Sequence, residues 1–544
     1  MPVRLLAALL LGLLGFALLG PAAGAQDEPV LGDPGQPGET APEGMAPPAA
    51  GPGAVGAGTE DSLEAAGVSS EEHVAGEGHA APPVWLVLPF VALLVMIATG
   101  PLFYPHHWHH HYPKYAVGLG LLVAAIYLVS PLEDVAVLHA VEEYLAFIAL
   151  LFALYVASGT ILIKTDFEGT PRVNTAMLFV GAVISNFIGT TGASMLLIRP
   201  YMRVNRGRLR AYHIIFFIFV VSNVGGALTP IGDPPLFLGF LRGVPFFWTF
   251  THIWYIWLPT LLLILAVFYV FDRRNAAESE RAQRRRAGDP DVEPGEYTDV
   301  AAAHTRRHVA IEGKLGFVWL ALIIGSVFLD PNVFGWVPDL HEALHLPFGI
   351  REVIMFGVAF LAYRTARREA LEGNAFTFGP IAEVAWLFIG IFLTMQPALQ
   401  LIAAFAAENA TALNATTFYF GTGVLSSILD NAPTYVSFVA AAMGKFGLDV
   451  NVPADVACLA APHCGDALTW YYLQAISVAA VFWGANTYIG NGPNFMVKAI
   501  AEEAGVACPS FVGYIVRYSL PILIPIYILV WLVFFSGLVP IHTF

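Results

Sequence analysis

Two stretches hold residues able to do chemistry at a matched spacing. They are Gly226-Ala-Leu-Thr-Pro-Ile-Gly-Asp-Pro-Pro-Leu-Phe237 and Gly484-Ala-Asn-Thr-Tyr-Ile-Gly-Asn-Gly-Pro-Asn-Phe495. They share the pattern G-A-x-T-x-I-G-x-x-P-x-F, seven identities in twelve positions. Each lies within a long apolar segment. Gly and Pro there break the helical hydrogen-bond ladder and free backbone carbonyls. At membrane depth such carbonyls need protein, water or a bound ion. Thr229, Gly232, Asp233, Asn486, Thr487, Gly490, Asn491 and Asn494 add oxygens, donors and close backbone approach. A pair of Gly/Pro-interrupted segments in two halves points to a transporter's central site.

Two further polar clusters interrupt apolar stretches. One is Ser185-Asn186-Phe187-Ile188-Gly189-Thr190-Thr191-Gly192; the other is Asp430-Asn431-Ala432-Pro433-Thr434. A carboxylate at bilayer depth is costly and marks a functional candidate. Asp430 is therefore the expected proton carrier. Capping a half-helix is the other reading of Asp430, and the two roles can coexist. Asp233, followed by two prolines, reads as a turn nearer the membrane surface and ranks second. Carboxylate, amide, hydroxyl and carbonyl oxygens together suit a hard cation such as Na⁺. The expected ion site comprises Ser185, Asn186, Thr190, Thr191, Thr229, Gly232, Asp233, Asp430, Asn431, Thr434, Asn486, Thr487, Gly490, Asn491 and Asn494.

Other candidates carry less. His341-Glu342-Ala-Leu-His345 matches the HExxH zinc motif, but it sits between Pro338 and Pro347, with room for barely two turns. No zinc site is expected there; a membrane metalloprotease is the remote alternative. The run His106-His107-Trp108-His109-His110-His111 reads as an interfacial anchor, with metal binding or pH sensing as the other readings. No P-loop, G-x-S-x-G or dinucleotide fingerprint occurs, so neither ATP-driven transport nor an enzyme is expected.

The elements that position these residues follow from composition. The 544-residue chain is 57% hydrophobic and 12% charged, a balance of polytopic membrane proteins. Residues 1–25 read as a signal peptide and 26–83 as a disordered extracytoplasmic tail carrying much of the net charge of −15. Spans are expected near 84–104, 115–131, 143–163, 213–241 and 250–271, then 315–332, 350–364, 381–402, 469–503 and 518–540. The stretches 174–198 and 416–443 are single spans or re-entrant hairpins. Basic loops decide between these, because Lys/Arg-rich loops stay cytoplasmic. With two hairpins, the loops around Arg199–Arg210, Arg273–Arg307 and Arg364–Arg368 all fall inside. The expected fold is all-α, with five spans, one hairpin and one broken helix in each of two inverted halves, 84–271 and 315–544, joined by a cytoplasmic basic loop at 272–314. Loop 444–468 then lies outside, where Cys458 and Cys464 can pair or stay free; Cys508 falls inside.

The four polar motifs, taken in order, resemble the NhaD-type sodium:proton antiporters of the ion transporter superfamily, which also holds citrate transporters, divalent anion:sodium symporters and arsenite exporters. The resemblance spans roughly 85–540. It implies a scaffold and a moving transport domain, commonly in a dimer, working by an elevator motion. In the anion symporters each hairpin tip reads Ser-Asn-Thr, with Asn near Na⁺ and Thr on the carboxylate. Here Ser185 and Asn186 match, but Phe187 replaces Thr; Asn431 matches, Asp430 replaces Ser and Ala432 replaces Thr. Losing both hydroxyls and gaining an anion favours a cation. The expected function is exchange of Na⁺ or Li⁺ for H⁺ across an inner membrane by a homodimeric alternating-access carrier of this kind, with a citrate, dicarboxylate or oxyanion carrier as the alternative.

Overall fold

The computed structural model describes residues 82–286 and 309–538, except 131, 133–134, 166–167, 331–333, 335, 339, 341–345, 463 and 465–467. The signal peptide and tail of the sequence reading, His341, Glu342 and His345 lie outside the described residues. The fold is that of an all-α polytopic membrane protein. Among the described residues, eight helices are long and apolar enough to cross a membrane.

A 3₁₀ turn at Val84–Val87 leads into α1 (Leu88–Phe103). Then come α2 (Pro105–Val129) and α3 (Val135–Gly159). The histidine run, expected as a boundary feature, opens α2: Pro105 occupies its first turn, where a missing N–H costs nothing. Strand β1 (Leu162–Thr165) pairs antiparallel with β2 (Val309–Glu312), joining the end of α3 to the chain that enters α8 (Leu315–Ser326).

Helix α4 (Pro171–Val204) is a hairpin. A straight helix of its 34 residues would reach about 50 Å. Instead its ends touch: Gly169 N–H donates to Val204 O at 2.8 Å, and Asn174 and Asn205 exchange side-chain hydrogen bonds at 2.7 and 2.9 Å. The turn is Gly189, at φ +77°, a conformation that favours glycine. The second hairpin is α12 (Ala415–Ile428) and α13 (Asn431–Lys445), with Phe418 and Phe438 packed across it at 6.3 Å.

Each hairpin is followed by a broken helix. The first runs α5 (Ala211–Val220), a 3₁₀ turn (Val224–Leu228) and α6 (Pro234–Leu241). The second runs α15 (Thr469–Trp483), a 3₁₀ turn (Gly484–Asn486) and α16 (Gly492–Glu503). In both, two glycines meet backbone to backbone. A Cβ on Gly226 would stand 2.7 Å from Gly232 O, and one on Gly490 2.5 Å from Gly484 O. That crossing is why the shared pattern needs both glycines.

The next helix satisfies carbonyls freed by each break. From α7 (Trp248–Arg286), Trp257 Nε1 donates to Val224 O at 2.8 Å and Thr249 to Leu228 O at 3.0 Å. In the last segment, α17 (Phe511–Tyr514), π-helical Ile515–Leu523 and α18 (Ile524–Phe534), Tyr514 donates to Ala485 O and Ser519 to Asn486 O, at 2.6 and 2.7 Å. The expected loop start at 272 is corrected: α7 continues to Arg286. Asp272 anchors its turn, being fully buried and accepting from Asn174, Tyr212 and His213 at 2.8, 2.7 and 3.0 Å, and from Arg208.

The remaining helices are α9 (Ile350–Thr365), the short α10 (Arg368–Gly373), α11 (Gly379–Glu408) and α14 (Pro453–Ala460). Helices α1, α2, α3, α8, α9 and α11 pack chiefly on one another and form a frame. The hairpins and broken helices, with α7 and α18, form a second group. The groups meet where α11 crosses α13 and where α3 lies on α4 and α6. Cys458 and Cys464 form a disulfide; Cys508 is a free thiol whose burial raises its pKa to about 11.

Candidate functional site

Three polar tips converge on the carboxylate of a fourth, Asp233. As the residue before Pro234 and Pro235 it holds extended backbone and ends the break, ahead of α6. Its side chain is completely buried. Thr190 Oγ1, just past the first hairpin's turn, donates to Oδ1 at 2.8 Å. Asn431 Nδ2, at the second hairpin's tip, donates to Oδ2 at 2.5 Å. Asn491 Nδ2, the residue before α16, donates to Oδ1 at 3.0 Å. Thr190, Asn431 and Asn491 are themselves buried. The double proline, whose other reading was a turn near the membrane surface, starts the half-helix α6, and Asp233 before it is buried in protein.

Asp430 sits at the second hairpin's tip as expected but faces its own helix. It is partly buried, and its Oδ1 accepts from Ala432 N–H at 3.0 Å, which caps α13. Thr434 donates to Asp430 O within that helix at 2.9 Å. Neither Thr191 nor Thr434 bonds Asp233 among the hydrogen bonds of the described residues.

The two halves repeat one set of hydrogen bonds. Ser185 Oγ donates to Val221 O at 2.8 Å, and Ser426 Oγ to Ala480 O at 2.6 Å. Asn186 Nδ2 reaches Gly225 O at 2.7 Å, as Ser427 Oγ reaches Trp483 O at 3.2 Å. Thr229 Oγ1 donates to Asn186 O at 2.5 Å and Thr487 Oγ1 to Ser427 O at 2.6 Å. Those hydroxyls then accept from Gly232 and Gly490 N–H, both at 3.1 Å. Asp233 and Asn491 are counterparts in this scheme.

These bonds correct the matching of the hairpins. The counterparts of Ser185 and Asn186 are Ser426 and Ser427; Asp430 and Asn431 correspond to Gly189 and Thr190. Phe187, expected where a relative's hydroxyl meets a carboxylate, is 56% exposed and outside the site. Ser426, Ser427 and Asn223 were missed. The serines stand four residues before the tip, as Ser185 and Asn186 do, and that spacing could have found them. Asn223 Nδ2 donates to Asn494 Oδ1 at 2.7 Å, and Asn494 Nδ2 returns to Gly484 O and Thr487 O, both at 2.9 Å. Asn223 thus ties one break to the other.

Among the described residues of the expected site, two buried oxygens lack a hydrogen-bond partner, Asn431 Oδ1 and Asn486 Oδ1. The amide of Asn431 is oriented by its Nδ2 bond to Asp233, which leaves the oxygen as a pure acceptor. A buried acceptor without a donor is costly and wants a cation or a proton donor. No Lys or Arg side chain bonds any of these groups among the described residues.

A membrane-embedded all-α bundle with opposed hairpin tips, two broken helices and a buried polar centre is a secondary transporter. A family model described as "Putative citrate transport" matches residues 79–535, and the chain belongs to that family. It is a multi-pass carrier of the citrate and ion-transporter type. No curated protein matches the chain.

Proposed function

We propose that the protein exchanges Na⁺ or Li⁺ for H⁺ across an inner membrane, with Asp233 as the group both ions share. The observation that carries this is the Asp233 carboxylate, buried and held by Thr190, Asn431 and Asn491 from three other elements. Na⁺ takes carboxylate and amide oxygens; a proton takes the same carboxylate and removes the charge that holds Na⁺. Burial makes the uncompensated anion costly, so one cation or the other is bound through the cycle. Asp430, first expected as the proton carrier, caps α13 and sets the position of Asn431. The repeated hydrogen bonds support an inverted repeat, and the frame and second group support an elevator motion. A homodimer is the assembly the family resemblance implies.

Citrate is the second reading, favoured by the family's description. A site whose centre is an anion, with no bonded Lys or Arg among the described residues, is poorly suited to a tricarboxylate. The test is flux in proteoliposomes under a pH gradient with Na⁺, Li⁺, K⁺ and citrate supplied separately. Proton movement driven by Na⁺ or Li⁺ alone supports exchange. Movement only with citrate overturns it.

The orientation has its own test. Cysteines placed at positions 340 or 450 are expected to react with an impermeant reagent on intact cells, and one at 285 is not. Outside labelling at 285 overturns the inverted arrangement.

A further inference from the structure

The site helix α6 ends in a buried charge that the exchange reading does not use. Asp233 stands immediately before this helix and Arg242 immediately after it. Arg242 is 7% exposed, and its Nη2 donates to Glu143 Oε2 of α3 at 2.8 Å. The two residues belong to different groups: Glu143 to the frame, Arg242 to the broken helix. Pair and partners line a cavity of about 250 Å³, whose frame wall includes Asp330, Arg351 and Glu352. Those three are already joined, Arg351 donating to Asp330 and Glu352 at 2.7 Å each. On the other side, Gly243 packs against Pro453, and Trp248 Nε1 donates to Ala460 O at 2.8 Å. The chain after α6 is therefore packed on α14 of the second half, and the end of α6 is joined to the frame by an ion pair.

We propose that the Arg242–Glu143 pair is a latch that positions Asp233, holding the site helix against the frame at this end and opening when the site moves. The reasoning is mechanical. An eight-residue helix is about 12 Å long and has no internal break, so its two ends move together. Displacing Asp233 relative to α3 displaces Arg242 by a similar amount and separates it from Glu143. Separation exposes both charges to the cavity, where water can solvate them. The latch thus adds a barrier and a bias to the step that carries the ion, without touching the ion. It rests on the proposed elevator motion for the displacement and on the exchange reading for the identity of the cargo.

The test uses the full-length protein in nanodiscs and proteoliposomes, with Glu143→Gln as the main variant. Gln keeps the shape and removes the charge. The expected result is a several-fold shift in KM for Na⁺, faster hydrogen–deuterium exchange at 243–246 and 450–456, and a weaker response of that exchange to added Na⁺. Melting temperature should fall moderately, because Gln keeps the hydrogen bond but leaves the buried guanidinium without its counter-charge. The reversed pair, Glu143→Arg with Arg242→Glu, should return the Na⁺ response towards wild type. Arg242→Lys serves if the other variants do not fold, and should give a smaller shift in the same direction. Wild-type Na⁺ dependence and exchange response in a folded Glu143→Gln protein overturn the latch. So does a lower melting temperature with both unchanged, since that is a structural bond only. If wild type moves citrate and not Na⁺, the exchange reading fails, and the same exchange measurement with citrate still decides the latch.

Discussion

Asp233→Asn is expected to abolish Na⁺-driven proton movement, reducing it to the level of empty liposomes, in a protein that still folds. The amide is the same size and keeps an oxygen that accepts from Thr190 or Asn491. It cannot exchange a proton, and it offers Na⁺ no charge. One contact should reverse: Asn431 Nδ2 now donates to Oδ2 at 2.5 Å, and an amide nitrogen there would oppose it. Rotation of either amide relieves this, so a moderate loss of melting temperature is expected beside the complete loss of transport. Asp233→Glu keeps the charge but lengthens the side chain into a fully buried site, and should retain weak exchange with altered pH dependence. Asp430→Asn is the control. Asn caps a helix about as well as Asp, so α13 should start as before and exchange should persist. Full exchange in Asp233→Asn, or its loss only in Asp430→Asn, would return the proton to Asp430.

The sequence made the framework legible because its signals are local and redundant. Apolar segments gave each membrane element, the basic loops separated hairpins from spans, and the shared G-A-x-T-x-I-G pattern marked both breaks. The hairpin at α4 shows the limit of length and hydropathy: the segment passes as one long span, and only its polar centre and flanking charges say that it turns. The structure brings Thr190, Asp233, Asn431 and Asn491 of the expected set together, and that geometry was not legible in the sequence. Asp430 drew the role of proton carrier because it stands at a tip in an apolar stretch. Asp233 was discounted for its prolines. Those prolines begin α6, and the first turn of a helix tolerates Pro, so they point Asp233 inward. Which of two acids lies at the meeting of four elements depends on contacts between residues some 200 to 260 positions apart. The pairing of Asn223 with Asn494 is of the same kind. So is Asp272, which looked like the first residue of a basic loop and is the most heavily bonded acid in the hairpin's base.

Asp272→Ala is expected to give the largest loss of stability among single changes outside the site. The carboxylate is fully buried and accepts from Asn174 of the hairpin, Tyr212 and His213 of α5, and Arg208 between them. Removing it leaves three buried donors and a largely buried guanidinium without their acceptor. Breaking a buried ion pair from one side costs roughly 3 to 5 kcal/mol. The cost falls on the base of α4, where Asn174 and Asn205 hold the two arms together. Asp272→Asn separates charge from shape. Its one oxygen can still accept from Tyr212 and His213, but its amide nitrogen would oppose Asn174 and its charge no longer balances Arg208, so its loss should be smaller than that of Ala but still clear. Thermal melting of both variants in the same detergent provides the comparison. Because Asp272 lies at the hairpin's base and Thr190 near its tip, the folded fraction should retain Na⁺/H⁺ exchange with an unchanged KM. An Asp272→Ala protein that melts with wild type would show that the buried acceptor is not what holds the hairpin's base; one that melts normally and loses exchange would place Asp272 in the proton's path.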